Sequence, residues 1–105
     1  DIVVVDLQIS IDIDGEGADR FGSSVSINSS GNILAIGAPD NDGNGSNSGH
    51  VRIYRELYES WSKLGGDIDG EAADDLSGSS VSINSDGTIV AIGAPENDGN
   101  GSNAG

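Results

Sequence analysis

Between Ser23 and Asn28 the chain alternates: Val25 and Ile27 fall on one side of an extended backbone, Ser24 and Ser26 on the other. Period-two patterning of this kind predicts a half-buried strand. Ser29–Gly31 then reads as a tight turn, and Asn32–Pro39 (NILAIGAP) is apolar on both sides with small Ala and Gly, as in a strand covered on both faces. Pro39 ends it, having no N–H to give to a ladder. After a polar stretch, His50–Leu57 sets Val51 and Ile53 against Arg52 and Tyr54, and Ser60–Ile68 predicts a fourth, outer strand. Only YRELYESW could wind into a helical turn or two. At the start of the chain, Val3, Val5, Leu7, Ile9 and Ile11 share one face of an extended run, which predicts a single N-terminal strand over residues 1–13.

The pattern is written twice. Gly22–Gly49 aligns with Gly78–Gly105 at a constant offset of 78 − 22 = 56, and five of the 28 paired positions differ: Ser30/Asp86, Asn32/Thr88, Leu34/Val90, Asp40/Glu96 and Ser48/Ala104. Upstream, DIDGEGADRFG pairs with DIDGEAADDLSG after one inserted residue. A period of about 50 residues with four short strands per unit is the signature of a propeller blade. The expected architecture is all-β: antiparallel, propeller-like, four-stranded blades in one unit of residues 1–105, with the N-terminal strand at 1–13, repeat one at 14–68 and a partial repeat two at 69–105.

Composition narrows the function classes. Eighteen Asp and Glu against four Lys and Arg give a formal charge of −14, the opposite of the basic footprint that nucleic acid requires. An anionic membrane surface would repel such a chain, and no apolar run is long enough to insert as a spanning helix. The acidity suits divalent cations or solubility. There is no cysteine, so the redox compartment is not indicated.

Three motifs in order, Phe21-Gly22-Ser23-Ser24-Val25, Gly37-Ala38-Pro39 and Ser48-Gly49-His50-Val51-Arg52-Ile53-Tyr54, resemble the FG-GAP repeat, the blade unit of integrin-alpha-type β-propellers. In the second copy Leu76-Ser77-Gly78 stands where Phe-Gly would, and Gly93-Ala94-Pro95 is intact. The resemblance implies an extracellular, secreted or cell-surface protein with a structural or adhesive role. It also implies calcium in Asp-rich interstrand loops and no catalytic activity of its own.

The second repeat lacks the counterpart of HVRIY, while the opening DIVVV lies parallel to it: GSNAG-DIVVV against GSNSG-HVRIY. One reading is donation, in which the N-terminal strand of one copy completes the last blade of another, the strand completing the partner's sheet by β-augmentation. Such a head-to-tail contact builds a ring or a filament. The others are an excerpt of a longer repeat array, acting as a protein- or glycan-recognition module, and closure within one chain. Partners are accordingly other copies of the chain, adjacent repeats, or an extracellular protein or glycan.

The polar loops carry the candidate chemistry. Asp40, Asp42 and Asn44 alternate ahead of Gly45, with the Ser46 carbonyl next, as in the opening of a D-x-[DN]-x-[DN]-G calcium loop. Glu96, Asp98 and Asn100 repeat it, and neither loop has the closing bidentate Glu of an EF-hand. A second acidic group, Asp12 and Asp14, then Asp67 and Asp69, precedes each blade. Calcium is one reading; the other is metal-free turns, since Asp-Gly and Asn-Gly supply the positive φ that hairpins need. Asn28, Asn44 and Asn100 each open an N-x-[ST] glycosylation triplet.

Other reactive types lack company. His50 is the single histidine, with no Cys or second His beside it. The serines of GSSVS therefore have no base to activate them. Phe21, Tyr54, Tyr58 and Trp61 are expected to pack between sheets, and Arg52 and Arg55 to pair with nearby acids.

Overall fold

The computed structural model describes residues 2–5, 10–13, 17, 19–99, 101–102 and 104–105. All regular structure among them is β, and no helix is long and apolar enough to cross a membrane. The centre is a sheet of β3 (Ser24–Ile27), β4 (Ile33–Ala38), β5 (His50–Leu57) and β6 (Ser60–Lys63), joined in that order by antiparallel neighbours. This is the meander that the alternation predicts. The run expected as one fourth strand is divided: β6 pairs Tyr54–Leu57, and β7 (Ile68–Asp69) pairs His50 and Val51 at the other end of β5. The Gly65-Gly66 pair parts them, Gly65 holding a φ of 75° that a residue with a side chain resists.

β4 is buried along its whole length. Its side chains fall into two sets. Leu34 and Ile36 lie on one face, forming a cluster with Ile13 and the partly buried Phe21, Tyr54 and Trp61; Phe21 meets Tyr54 edge to face at 6.5 Å. Ile33, Ala35 and Gly37 lie on the other, and across the ladder Ser26 stands opposite Ala35 and Ser24 opposite Gly37. Three of the four aromatic residues expected to pack do so. Tyr58 is the exception: 96% exposed, it forms with Glu59 the tip of the β5–β6 hairpin.

The second repeat contributes the hairpin β8 (Ser80–Ile83) and β9 (Val90–Gly93), whose register repeats that of β3 and β4: Ser80 opposite Gly93, as Ser24 is opposite Gly37. This hairpin lies on the Ser/Ala/Gly face of the first blade. The Ser24 hydroxyl donates to the Gly78 carbonyl at 2.7 Å, the Ile83 N–H donates to Ser26 Oγ at 3.1 Å, and the Ser29 N–H donates to the Ser85 carbonyl at 3.2 Å. Small residues are required because backbone meets backbone. A Cβ on Gly37 would overlap the Gly78 carbonyl oxygen and come 2.9 Å from its carbon. The corresponding face of repeat two, with Ser80, Ser82 and Ala91, is exposed.

The N-terminal run departs from expectation. In place of one strand it forms a hairpin, β1 (Ile2–Val5) with β2 (Ser10–Ile13), in which Ile2 is opposite Ile13. The same pairing occurs in the blade, where Val51 is opposite Ile68. Alternation alone does not distinguish one long strand from two short ones that pair with each other.

Candidate functional site

At one end of the first blade the loop after β4, the start of β5 and the strand β7 converge. Pro39 stops β4, and the chain turns through residues 40–49 before His50 re-enters the sheet. The loop holds itself with its own side chains. Asn41 Oδ1 accepts from the Gly43 N–H at 2.8 Å, Asp42 Oδ1 accepts from the Asn47 N–H at 2.8 Å, and the Asn44 amide donates to the carbonyls of Gly70 and Glu71. The Asn41 contact is an Asx turn, in which a short polar side chain replaces a missing backbone partner, while Asn44 ties the loop to the segment that follows β7.

Asp40 is held from outside the loop. Arg20 grips it with both arms, Nε at 2.6 Å and the second nitrogen at 2.8 Å, and this draws the Asp40 carboxyl below its ordinary 3.8. In repeat two Leu76 takes the place of Arg20, and Glu96 that of Asp40. A different contact is kept in both repeats: Asn41 donates to Asp19 at 2.8 Å, and Asn97 to Asp75 at 2.9 Å.

The four loop positions Asp40, Asp42, Asn44 and Ser46 thus share one loop, although Asp40 is paired with Arg20 and the Asn44 amide is turned to carbonyls. Glu96 and Asp98 occupy the matching loop of repeat two; Asn100 and Asp14 lie outside the described residues. Asp12 belongs to β2, with its backbone opposite Val3. Of the glycosylation candidates, Asn28 is corrected: it is 6% exposed, its Nδ2 donates to Asn32 at 2.8 Å, and its Oδ1 accepts from the N–H groups of Asn32 and Ile33. A turn-closing amide of this kind is not available to an enzyme that must reach it. Asn44, by contrast, is exposed.

Asp67 and Asp69 are brought together with a residue that sequence reasoning set aside. His50 opens β5 directly opposite Asp69 in the ladder. Its Nδ1 stands 3.8 Å from Asp67 Oδ2 and 3.9 Å from Asp69 Oδ1, and the side chain is 2% exposed. Burial chiefly, with help from the neighbouring Arg52 charge, holds its pKa below 6.5 against the pull of Asp67, Asp19 and Asp69. Among the described residues its Nε2 has no hydrogen-bond partner. Asp67 is gripped by Arg52 at 2.9 Å and Lys63 at 2.6 Å, both on Oδ1, and these bonds lower its carboxyl to about 2. No spacing in the sequence announces this trio, since His50 and the two acids meet only through the β5–β7 ladder.

Residues 9–54, from the end of the N-terminal run through the first part of β5, match the family model of the FG-GAP repeat. No curated protein matches the chain.

Proposed function

For a chain that carries an FG-GAP repeat, we propose the role of a structural, adhesive propeller-blade module outside the cell, assembled head to tail by exchange of strands between copies. The observation that carries this reading is the state of the two flanks. On one side of a complete blade stands the hairpin β1–β2, whose register matches the outer pair β5–β7; on the other stands β8–β9, whose register matches the inner pair β3–β4. Together, two such flanks from two copies make a blade.

The hydrogen-bonding edge supports the same docking. The carbonyls of Ile89 and Gly93 accept from β8-side N–H groups, so by antiparallel alternation Val90 and Ile92 point their backbone groups the other way. In the first blade those positions, Leu34 and Ile36, face Tyr54 and Arg52 of β5. A strand from β1 of a second copy would occupy that edge by β-augmentation. The same approach sets the exposed Ser80, Ser82 and Ala91 against the apolar side of the second copy's first blade, where Val25 and Ile27 are each about half exposed, at 49% and 47%. One docking covers both surfaces. Because the contact is heterologous, it propagates into a ring or filament.

Calcium enters this reading at the loops, where oxygen donors suit a hard cation. To use Asp40 it must displace Arg20, so Arg20→Ala is expected to sharpen any rise in melting temperature that calcium causes. The assembly itself is tested by light scattering over a concentration series. The native chain is expected to grow with concentration, and Ile92→Pro, which removes an outward N–H at the edge, to stay monomeric while keeping the first blade's ladder. A native chain that is monomeric throughout refutes the reading.

A further inference from the structure

We propose that His50, Asp67 and Asp69 form a binding site for a divalent cation of the zinc class, separate from the polar loops. One ligand atom from each residue lies within 4.8 Å of the others. Acidic residues in proximity would not suffice, but the imidazole adds an independent observation. It is buried to 2% exposure, and its Nδ1 faces both carboxylates at 3.8 and 3.9 Å, beyond hydrogen-bond length. A buried imidazole nitrogen, Nδ1, is thus aimed at two carboxylate oxygens that stand too far away to hydrogen-bond it, a spacing that a bridging ion would close.

The donor set chooses the ion. One imidazole nitrogen and two carboxylate oxygens suit zinc and its neighbours, whereas calcium and magnesium take oxygen alone. Asp67 retains a usable atom, because Arg52 Nε and Lys63 Nζ both sit on Oδ1 while Oδ2 faces His50 and carries only the longer 3.2 Å contact from Arg52. Asp69, with its side chain 42% exposed, gives an approaching ion a way in. A bound ion would join the start of β5 to β7 and fasten the divided outer edge of the blade. The inference does not depend on assembly between copies.

A single histidine makes the test direct. The whole chain, freed of metal by a chelator, is titrated with zinc chloride while the ring nitrogens of His50 are followed by long-range proton–nitrogen NMR. In the expected result the Nδ1 resonance moves and saturates at one equivalent, and a large excess of calcium does not reproduce the shift. Asp69→Asn, a partly exposed change that leaves the fold in place, should weaken binding by more than the roughly tenfold that even an outer partner of a metal is worth. Lys63→Met, which removes a competing positive charge, should tighten it. An unmoved ring at excess zinc, equal affinity in Asp69→Asn, or an identical response to calcium overturns the proposal.

Discussion

Gly37 and Gly93 hold the same place in the two copies of the motif, yet the structure gives them different surroundings. A methyl group at Gly37 would overlap the Gly78 carbonyl oxygen and the Ser24 hydroxyl, and would lie 2.9 Å from the Gly78 carbonyl carbon. The hydroxyl can rotate; the carbonyl belongs to backbone and cannot move unless the two repeats separate. Overpacking of a tight contact costs about 1–3 kcal/mol. Displacing Gly78 also breaks the Ser24-to-Gly78 hydrogen bond of 2.7 Å, worth about 0.5–1.5 kcal/mol. Gly37→Ala is therefore expected to destabilise the chain by about 2–4 kcal/mol. At Gly93 the group in the way among the described residues is the Ser80 hydroxyl, its Cβ standing at 3.6 Å, so Gly93→Ala should cost less than about 1 kcal/mol in the unassembled chain. Urea unfolding at low protein concentration, followed by fluorescence of the single Trp61 beside the core, measures both. Equal losses in the two variants would mean that the repeats do not stack through Gly37, and the fold described above would be wrong at its central contact.

Two further predictions concern charge and backbone. Bonds from Arg52 and then Lys63 hold Asp67 at about 2, below its ordinary 3.8; a lowered carboxyl contributes stability above the unfolded value and loses it as pH falls from about 3.8 through about 2. For this partly exposed group solvent screening limits the effect to about 1 kcal/mol at most. Urea midpoints of metal-free protein between pH 5 and pH 2 should thus fall less steeply for Asp67→Asn than for the native chain, and parallel slopes would contradict the pairing. At the β5–β6 tip, Tyr58 and Glu59 have φ of 52° and 64°, a primed turn that favours Asn-Gly. Tyr58→Asn with Glu59→Gly is expected to raise stability by about 1–2 kcal/mol in the same assay, since left-handed backbone is costly for residues bearing a Cβ.

Much of the blade could be read from residue order alone. Val25 and Ile27 alternating with serines, and the unbroken apolar run ended by Pro39, specify β3 and β4 because burial period and backbone period coincide. Failures occur where that link is weak. The opening run alternates equally well as one strand or as a hairpin, and only pairing decides between them. Tyr58 has the composition of a packing residue and the position of a turn. His50 illustrates the deeper limit: its neighbours Asp67 and Asp69 lie 17 and 19 residues along the chain, and their approach depends on the interruption of the outer strand at Gly65-Gly66. Ion-site motifs are written over short, contiguous spacing, so a site assembled across a ladder leaves no such trace. The Arg20–Asp40 bridge was hidden for the same reason.

That bridge bears on how two nearly identical segments avoid mistaking one another for themselves during folding. Tandem units of high similarity are prone to exchange places, and the resulting misassembled chains are slow to recover. Arg20 and Phe21 mark the first unit, and Leu76 and Ser77 mark the second. Phe21 fills the aromatic cluster, while Ser77 is slim enough to bridge to Gly49, donating its N–H to the Ser48 carbonyl at 2.9 Å. The second unit in the first one's seat supplies neither the Arg20–Asp40 bridge nor a ring for the aromatic cluster, and the first in the second's seat forces a ring against a backbone. A few unlike residues at the joint serve as an address label, and the copies elsewhere are free to stay the same.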